Sequence, residues 1–282
     1  MDDQLNAICK ALDFIERHLK EEIRVEDIAE SCGYSLFYFI RLFNQTVHLT
    51  PYDYLIRRRL AEAARELLNG KRRLVDIALD YDFQNPETFA RAFNRVFHTP
   101  PSQVRKSGVL DSRLILRACG RSQLLYYRDY GIPKAQQCTL PQLLLAGSPF
   151  ESDLSVEMVE QVVARLNSFY PEMREIFWVS TYSIHPFDRQ PTYFAGIELH
   201  DWTALPASLY ARRLPSGRCA CFRQRDLLEN LGHIRAYIYQ SWQANTAETI
   251  SSRIEIFRYS LSKDSPSTEL ILPLFNSNDS SF

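Results

Sequence analysis

At 282 residues, with 45% hydrophobic and 24% charged side chains, the chain has the composition of a soluble globular protein and the length for two domains, each burying its own core. It contains no run of about eighteen apolar residues, and the opening Met-Asp-Asp-Gln has neither the basic nor the apolar region of a secretory signal, so a cytoplasmic protein without a membrane span is expected. The net charge of −1 averages unlike regions: residues 1–30 carry four Lys/Arg against nine Asp/Glu, residues 31–107 twelve against seven, and residues 131–282 thirteen against sixteen, so basic charge gathers where a nucleic-acid-binding segment would need it.

In chain order, Leu5, Ile8, Leu12, Ile15 and Leu19 recur at helical spacing and predict an amphipathic helix over 4–20. Asp27 and Ile28 open a short helix ending at Gly33, whose missing Cβ suits a left-handed turn between crossing helices. Ser35 is the expected N-cap of a helix over 36–46, where Phe39, Leu42 and Phe43 face inward at i, i+3 and i+4. Phe37, Tyr38, Ile40, Arg41 and Asn44 are left near or on its outer face. Pro51 fits the first turn of a long helix running to Asn69-Gly70. At 1.5 Å per residue it spans roughly 28 Å, and successive major-groove faces recur every 34 Å or so.

A second unit repeats this plan, with a short helix near 74–80, a turn at Tyr81 to Gln84 and a helix near 86–96 that opens with Pro86. Ile28-Ala29, Gly33-Tyr34-Ser35, Phe39, Arg41, Phe43 and Pro51 are matched by Ile77-Ala78, Asp82-Phe83-Gln84, Phe89, Arg91, Phe93 and Pro101. Agreement of apolar, turn and basic positions at a fixed offset identifies a duplicated unit. Asp82 stands where the first unit has Gly33, and Asp tolerates left-handed geometry better than most residues.

A connector over 108–134 follows, and the pattern then alternates between strand-like runs and helices. Strands are expected at Gln142 to Ala146, Tyr193 to Leu199, Ser208 to Arg212, Arg218 to Phe222, Arg253 to Tyr259 and Thr268 to Leu274, and helices near 155–168 and 226–243. This reads as an α+β domain over 135–275 of two similar halves, with a polar tail at 276–282. The six cysteines, at 9, 32, 119, 138, 219 and 221, show no Cys-x-x-Cys and no zinc spacing, so reduced thiols without a disulfide framework or metal are expected. His185, His200, Cys219 and Cys221 have no metal-specific spacing either.

Residues 1–107 resemble the DNA-binding domain of the AraC/XylS family of bacterial transcription regulators. The resemblance rests on Ile28-Ala29, Gly33-Tyr34-Ser35, Tyr38-Phe39, Arg41-Leu42-Phe43, Arg59-Leu60 and Ala63, then on Ile77-Ala78, Phe83, Phe89, Arg91, Phe93 and Pro100-Pro101. An N-terminal module followed by a longer domain is similar to the Rob-like branch. His48 and His98, where the family commonly has glycine, and Asp82 are departures that leave both groove-facing helices in place. The resemblance implies an all-α double helix-turn-helix (homeodomain-like) fold, double-stranded DNA bound through adjacent major grooves, and activation through RNA polymerase. It makes 36–46 and 86–96 the recognition helices, with base contacts from Phe37, Tyr38, Ile40, Arg41, Glu87, Thr88 and Arg91. Arginine supplies a planar fork that bonds both acceptors of a guanine edge. Arg57, Lys71, Arg72, Arg73, Asn44 and Arg95 are candidates for phosphate. For the clusters Arg57-Arg58-Arg59 and Lys71-Arg72-Arg73 a solubilising surface is the alternative, and Arg58 and Arg59 can instead turn inward or toward acidic partners.

Residues 135–274 resemble a GyrI-like effector-binding domain, on Tyr193 to Glu198, Leu214 to Phe222, Ile254 to Phe257 and Thr268 to Leu274. The resemblance implies a cleft for a small hydrophobic or cationic ligand with Glu255 as counter-charge. Glu255 and Phe257 share one strand face, Ile254 and Ile256 the other. The alternative is a solvated Glu255 or one paired with Arg253 or Arg258. Trp178, Tyr182, Tyr193, Trp202 and Tyr237 are candidates to line the cleft, and Phe177 and Trp242 are further aromatics, each alternatively ordinary core. With no nucleophile elbow, Gly-rich phosphate loop or His-Glu metal helix, and only isolated groups such as Ser148 and His233, a regulator without cofactor is expected rather than an enzyme. A hydrolase-like or protein-docking second domain is the rival reading. Two reading heads on one chain favour a monomer over a dimer.

Overall fold

A computed structural model describes residues 2–70, 72–182, 191–201, 205–224, 227–250, 254–262 and 267–275. Among them two compact units are distinguished, the first running to Ile132 and also taking in Arg235–Asn245.

In the first unit, α1 (Asp2–Arg17), α2 (Val25–Ser31), α3 (Leu36–Val47), α4 (Pro51–Leu68), α5 (Leu74–Asp80), α6 (Pro86–Phe97) and α7 (Pro101–Ser107) surround one core. Local chemistry sets the boundaries. Thr50 Oγ1 accepts from Asp53 N–H at the start of α4, and Asn85 Oδ1 accepts from Thr88 N–H at the start of α6, each satisfying an amide the helix leaves open. Pro51, Pro86 and Pro101 take first-turn positions where no amide is needed. The apolar stripes close on Phe39, Phe43, Tyr54, Phe89 and Phe93, all fully buried. At about 25 cal/mol per Å², each such side chain contributes about 2–3 kcal/mol.

Beyond α7, α8 (Arg121–Tyr130) lies inside the stretch expected as a connector, and its Leu124 joins the same core. Its buried face is only Leu124, Tyr126 and Tyr127, too narrow a stripe to mark a helix in the sequence.

The second unit is an eight-stranded antiparallel sheet formed by β1 (Lys134–Leu140), β2 (Leu143–Phe150), β3 (Glu175–Thr181), β4 (Thr192–Glu198), β5 (Tyr210–Leu214), β6 (Gly217–Arg223), β7 (Ile254–Ser260) and β8 (Ser267–Pro273). Helix α9 (Val156–Asn167) follows β2, and α10 (Leu231–Ala236) follows β6. The order β1-β6-β8-β7-β3-β4-β2-β5 is a pseudo-twofold about the β7–β3 pair, since the passes β2-α9-β3-β4 and β6-α10-β7-β8 have the same plan. Each half lends an edge strand to the other: β1 pairs with β6, and β5 with β2. Gly147 faces Gly196 across β2 and β4, where a Cβ at 147 would lie 1.9 Å from the Ala195 carbonyl oxygen, so the two backbones approach as only glycine permits.

Two strands escaped the sequence reading. β1 is too polar, with Leu140 its only buried side chain, and β3 is an almost unbroken apolar run without alternation. The expectation of six reduced cysteines is corrected: Cys138 and Cys221 form a disulfide across 83 residues of sequence, and Cys9, Cys32, Cys119 and Cys219 are free. Spacing could not reveal it, because the partners meet only through the β1–β6 pairing. No described helix is long and apolar enough to cross a membrane.

Candidate nucleic-acid interface and interior carboxylate

The two helix-turn-helix units are built by the same bonds at corresponding positions. Gly33 N–H donates to Glu30 O and Tyr34 N–H to Ala29 O, while Asp82 N–H donates to Leu79 O and Phe83 N–H to Ala78 O. The turn residues are both left-handed, with φ of 75° at Gly33 and 61° at Asp82. Asp82 is held there by an ion pair, its carboxylate 2.7 Å from the Arg59 guanidinium. Helices α3 and α6 each end on a left-handed histidine, His48 at φ 61° and His98 at φ 53°, whose amides donate to Asn44 O and Asn94 O. These histidines terminate α3 and α6 at equivalent points, as the commoner glycine would.

With the aromatic stripes turned inward, equivalent side chains face out. Arg41 and Arg91 are both exposed, and so are Phe37 and Glu87 one turn earlier. Phe37 is 87% exposed, an apolar ring standing in water. The Arg41 guanidinium lies 5.6 Å from the centre of the Tyr38 ring, whose hydroxyl accepts from Gln4 Nε2 at 2.7 Å. Tyr38, Ile40 and Thr88 are half-buried, while Asn44 and Arg95 are exposed. Gln45 and Asn94, also exposed, were missed. The repeat could have supplied them, since they are the counterparts of Arg95 and Asn44.

The basic clusters divide by environment. Arg58 and Arg59 are buried. Arg58 donates to Glu16 and Glu62 and to the Leu116 carbonyl at 2.7 Å; burial pulls its pKa down, but these bonds outweigh it and the net direction is up. Arg59 donates to Asp82 and to the carbonyls of Leu19 and Glu21. These two serve the core. Arg57 is half-buried, and burial lowers its pKa, with Arg95 adding repulsion and Asp53 opposing it. Two neighbouring cations of this kind would gain from a shared anion. Arg72 is exposed but bonded to Glu66 and Asp80, and Arg73 to Asp76. Lys71 lies outside the described residues.

The C-terminal end of α3 is fixed by the segment Arg235–Asn245, whose Tyr237–Trp242 stretch is π-helical. Ser241 Oγ donates to Val47 O at 3.4 Å and Asn245 Nδ2 to His48 O at 3.1 Å, while the His48 ring meets Tyr127 at 5.3 Å and Tyr237 at 5.7 Å. Burial lowers the His48 pKa. Tyr237, expected in a ligand cleft, belongs to this first unit.

In the second unit, register places Glu255 opposite Ser180, Phe257 opposite Trp178, and Tyr193 opposite Ser180. Glu255, Trp178, Ser180, Tyr193 and Phe257 thus share one sheet face. The opposite face carries the cluster of Phe177, Val179, Phe194, Ile256 and Ile271. Glu255 is fully buried and accepts from the Tyr182 hydroxyl at 2.8 Å. Trp178 Nε1 and Ser180 Oγ are buried without a hydrogen-bond partner among the described residues. Each such orphan costs about 1–3 kcal/mol. Trp178 meets Tyr193 at 6.1 Å and Phe150 at 5.4 Å. The solvated alternative for Glu255 does not hold, and Arg258, on the opposite face, is ion-paired with Glu269. Arg253, His185 and Trp202 lie outside the described residues. Clefts of about 840 and 860 Å³ open beside Glu175 and are not lined by Glu255.

Residues 28–107 match a family described as a helix-turn-helix domain. The chain is 37% identical over 92 residues to the regulatory protein SoxS of Escherichia coli (strain K12), covering 33% of this chain and 86% of SoxS. It is 41% identical over 99 residues to the uncharacterized HTH-type transcriptional regulator YbfP of Bacillus subtilis (strain 168), 35% of this chain and 34% of that one. It is 30% identical over 176 residues to the transcriptional regulator Rob of Salmonella typhimurium, 62% of this chain and 56% of Rob. The chain therefore spans about a third of YbfP and little more than half of Rob.

Proposed function

Because the chain belongs to the AraC-type family of helix-turn-helix transcription regulators, we propose that it binds double-stranded DNA with α3 and α6 in adjacent major grooves and acts as a monomeric activator with RNA polymerase. The observation that carries this is the repeated presentation of Arg41 and Arg91, each exposed one turn beyond an exposed residue and opposite a buried aromatic stripe. Arg41 and Arg91 read guanine edges, and Phe37 packs on thymine methyl groups, with Tyr38, Ile40, Glu87 and Thr88 completing the base-facing set. Arg57, Arg95 and Asn44 meet phosphate. Arg72 and Arg73 must first give up Glu66, Asp80 and Asp76, so they add less. In this reading residues 1–107 are the DNA-binding module, and ligand binding falls to the sheet unit within 135–275, apart from Arg235–Asn245, which belongs to the first unit.

The second part of the proposal is a hydrophobic cation held by the carboxylate of Glu255 on a floor of Trp178 and Tyr193, entering by displacement of Tyr182. A buried carboxylate beside unsatisfied donors and aromatic faces is suited to such a guest. This reading makes the chain a sensor rather than an enzyme.

Selection of bound duplexes from a random pool tests the first part: the reading requires two conserved blocks about one helical turn apart. A single block, or none, rejects it. Calorimetric titration with aromatic quaternary ammonium compounds tests the second. Glu255→Gln should weaken binding at least tenfold while leaving neutral aromatic compounds unaffected. Equal affinity of both forms for every cation rejects it.

A further inference from the structure

Three cysteines that the DNA- and ligand-binding readings leave unused lie on one face of the sheet at its β1 edge. In the β1–β6 register Cys138 stands directly opposite Cys219, yet its disulfide runs diagonally to Cys221, one pleat further along, with Cα atoms 6.5 Å apart. All three sulfurs belong to the cluster that lines this face. Cys219 and Cys221 are buried at 1% and 4% exposure, whereas Cys138 is half-buried, so it is the sulfur a reagent from solution meets first. Burial raises the pKa of Cys219 and keeps it a thiol.

Among the described residues β1 has β6 as its only neighbour in the sheet. Four of its first residues, Lys134 to Gln137, are exposed, and Leu140 alone is buried. Little apolar area holds such a strand, so the covalent link is a large share of what ties it down. A cross-link spanning 83 residues also restricts the unfolded chain strongly.

We propose that Cys138, Cys219 and Cys221 form a thiol-redox site: a hydroperoxide closes the Cys138–Cys221 disulfide, glutathione reopens it, and the change clamps or frees edge strand β1. In the closing reaction the Cys138 thiolate attacks one peroxide oxygen. An S–O bond forms as the O–O bond breaks, and the departing alkoxide or hydroxide takes a proton. The Cys221 thiolate then attacks the Cys138 sulfur, forming S–S and expelling hydroxide, which is protonated to water. Two thiols are oxidised by two electrons and one peroxide is reduced to an alcohol, or to water, plus water. In reopening, a glutathione thiolate attacks the Cys138 sulfur and expels Cys221, which takes a proton; a second glutathione thiolate attacks the glutathione sulfur of that mixed disulfide, releasing Cys138 as a thiol and glutathione disulfide. Cys219 provides a second partner that stays a protonated thiol while the Cys138–Cys221 bond is closed; in exchange its proton passes to the departing Cys221 sulfur as its own sulfur bonds Cys138, without net oxidation. The inference does not depend on DNA or ligand binding.

The test uses the full chain, reduced and then treated with hydrogen peroxide, with thiols trapped by alkylation and mapped by mass spectrometry. The expected product is the Cys138–Cys221 peptide pair, with Cys9, Cys32 and Cys119 still free, and its return to thiols in millimolar reduced glutathione. Cys221→Ser should redirect the bond to Cys138–Cys219, and Cys138→Ser should leave no disulfide in this unit. Hydrogen exchange on the unaltered chain needs no variant: reduction should speed exchange of the β1 amides about tenfold and leave β3 and β7 unchanged. Absence of the bond after peroxide, resistance to glutathione, or identical β1 exchange in both states would overturn the proposal.

Discussion

Asp82 sits at the turn that aims α6, and its replacement separates two opposing effects. At φ 61° an ordinary side chain pays about 1 kcal/mol relative to glycine. Against this stands the charge-assisted bond to Arg59, whose side chain is 4% exposed, while that of Asp82 is 34% exposed. That partial exposure screens the pair, placing its loss near the lower end of the range for charged bonds, about 1.5 kcal/mol. Arg59 keeps its bonds to the Leu19 and Glu21 carbonyls, so the loss stays modest. Asp82→Gly loses the bond but relieves the backbone, for a net destabilisation of roughly 0.5 kcal/mol; Asp82→Ala gets no relief and should lose roughly 1.5–2.5 kcal/mol. Urea unfolding of the full chain followed by far-ultraviolet dichroism, which reports the helices, measures both. If the glycine and alanine variants were equally destabilised, the left-handed backbone would not be the governing factor. A neutral Asp82→Ala would remove the ion pair from the account.

Arg91→Ala should weaken binding to a selected duplex by about 1–3 kcal/mol, relax preference at one base pair, and leave stability within about 0.5 kcal/mol; equal losses on selected and scrambled duplexes at one salt concentration would refute base reading. His48 has its pKa lowered by burial, so the folded state disfavours its protonation. The stability this neutral ring contributes is fully present above the unfolded value of about 6.5 and is lost as pH falls through the lower folded value. Asn, which tolerates left-handed backbone, should flatten that loss, so unfolding titrations of His48→Asn and the parent between pH 7 and 5 should diverge; parallel curves would reject it. Gly147→Ala brings a Cβ within 1.9 Å of a backbone oxygen and should cost more than about 2 kcal/mol, read as a lowered melting temperature. An unchanged melting temperature would show that β2 and β4 can part without penalty.

What the sequence determined by itself was the local and periodic part. The repeat, the start of α3 after Ser35, the prolines at 51, 86 and 101, and the inward stripes of Phe39, Phe43, Phe89 and Phe93 all follow from a 3.6-residue period and from local backbone preference. The exposure of Arg41 and Arg91 follows from the same stripes. Tertiary structure decided whatever depends on residues far apart in the chain. Within Arg57-Arg58-Arg59, three identical side chains in a row, only packing against Glu16, Leu19 and Leu116 turns the last two inward. The pairing of β1 with β6 joins Cys138 to Cys221, and the packing of Arg235–Asn245 on α3 makes Tyr237 part of the first unit. Burial of Glu255 itself required both faces of β7 to be covered, a condition set by the fold as a whole rather than by any strand's own pattern.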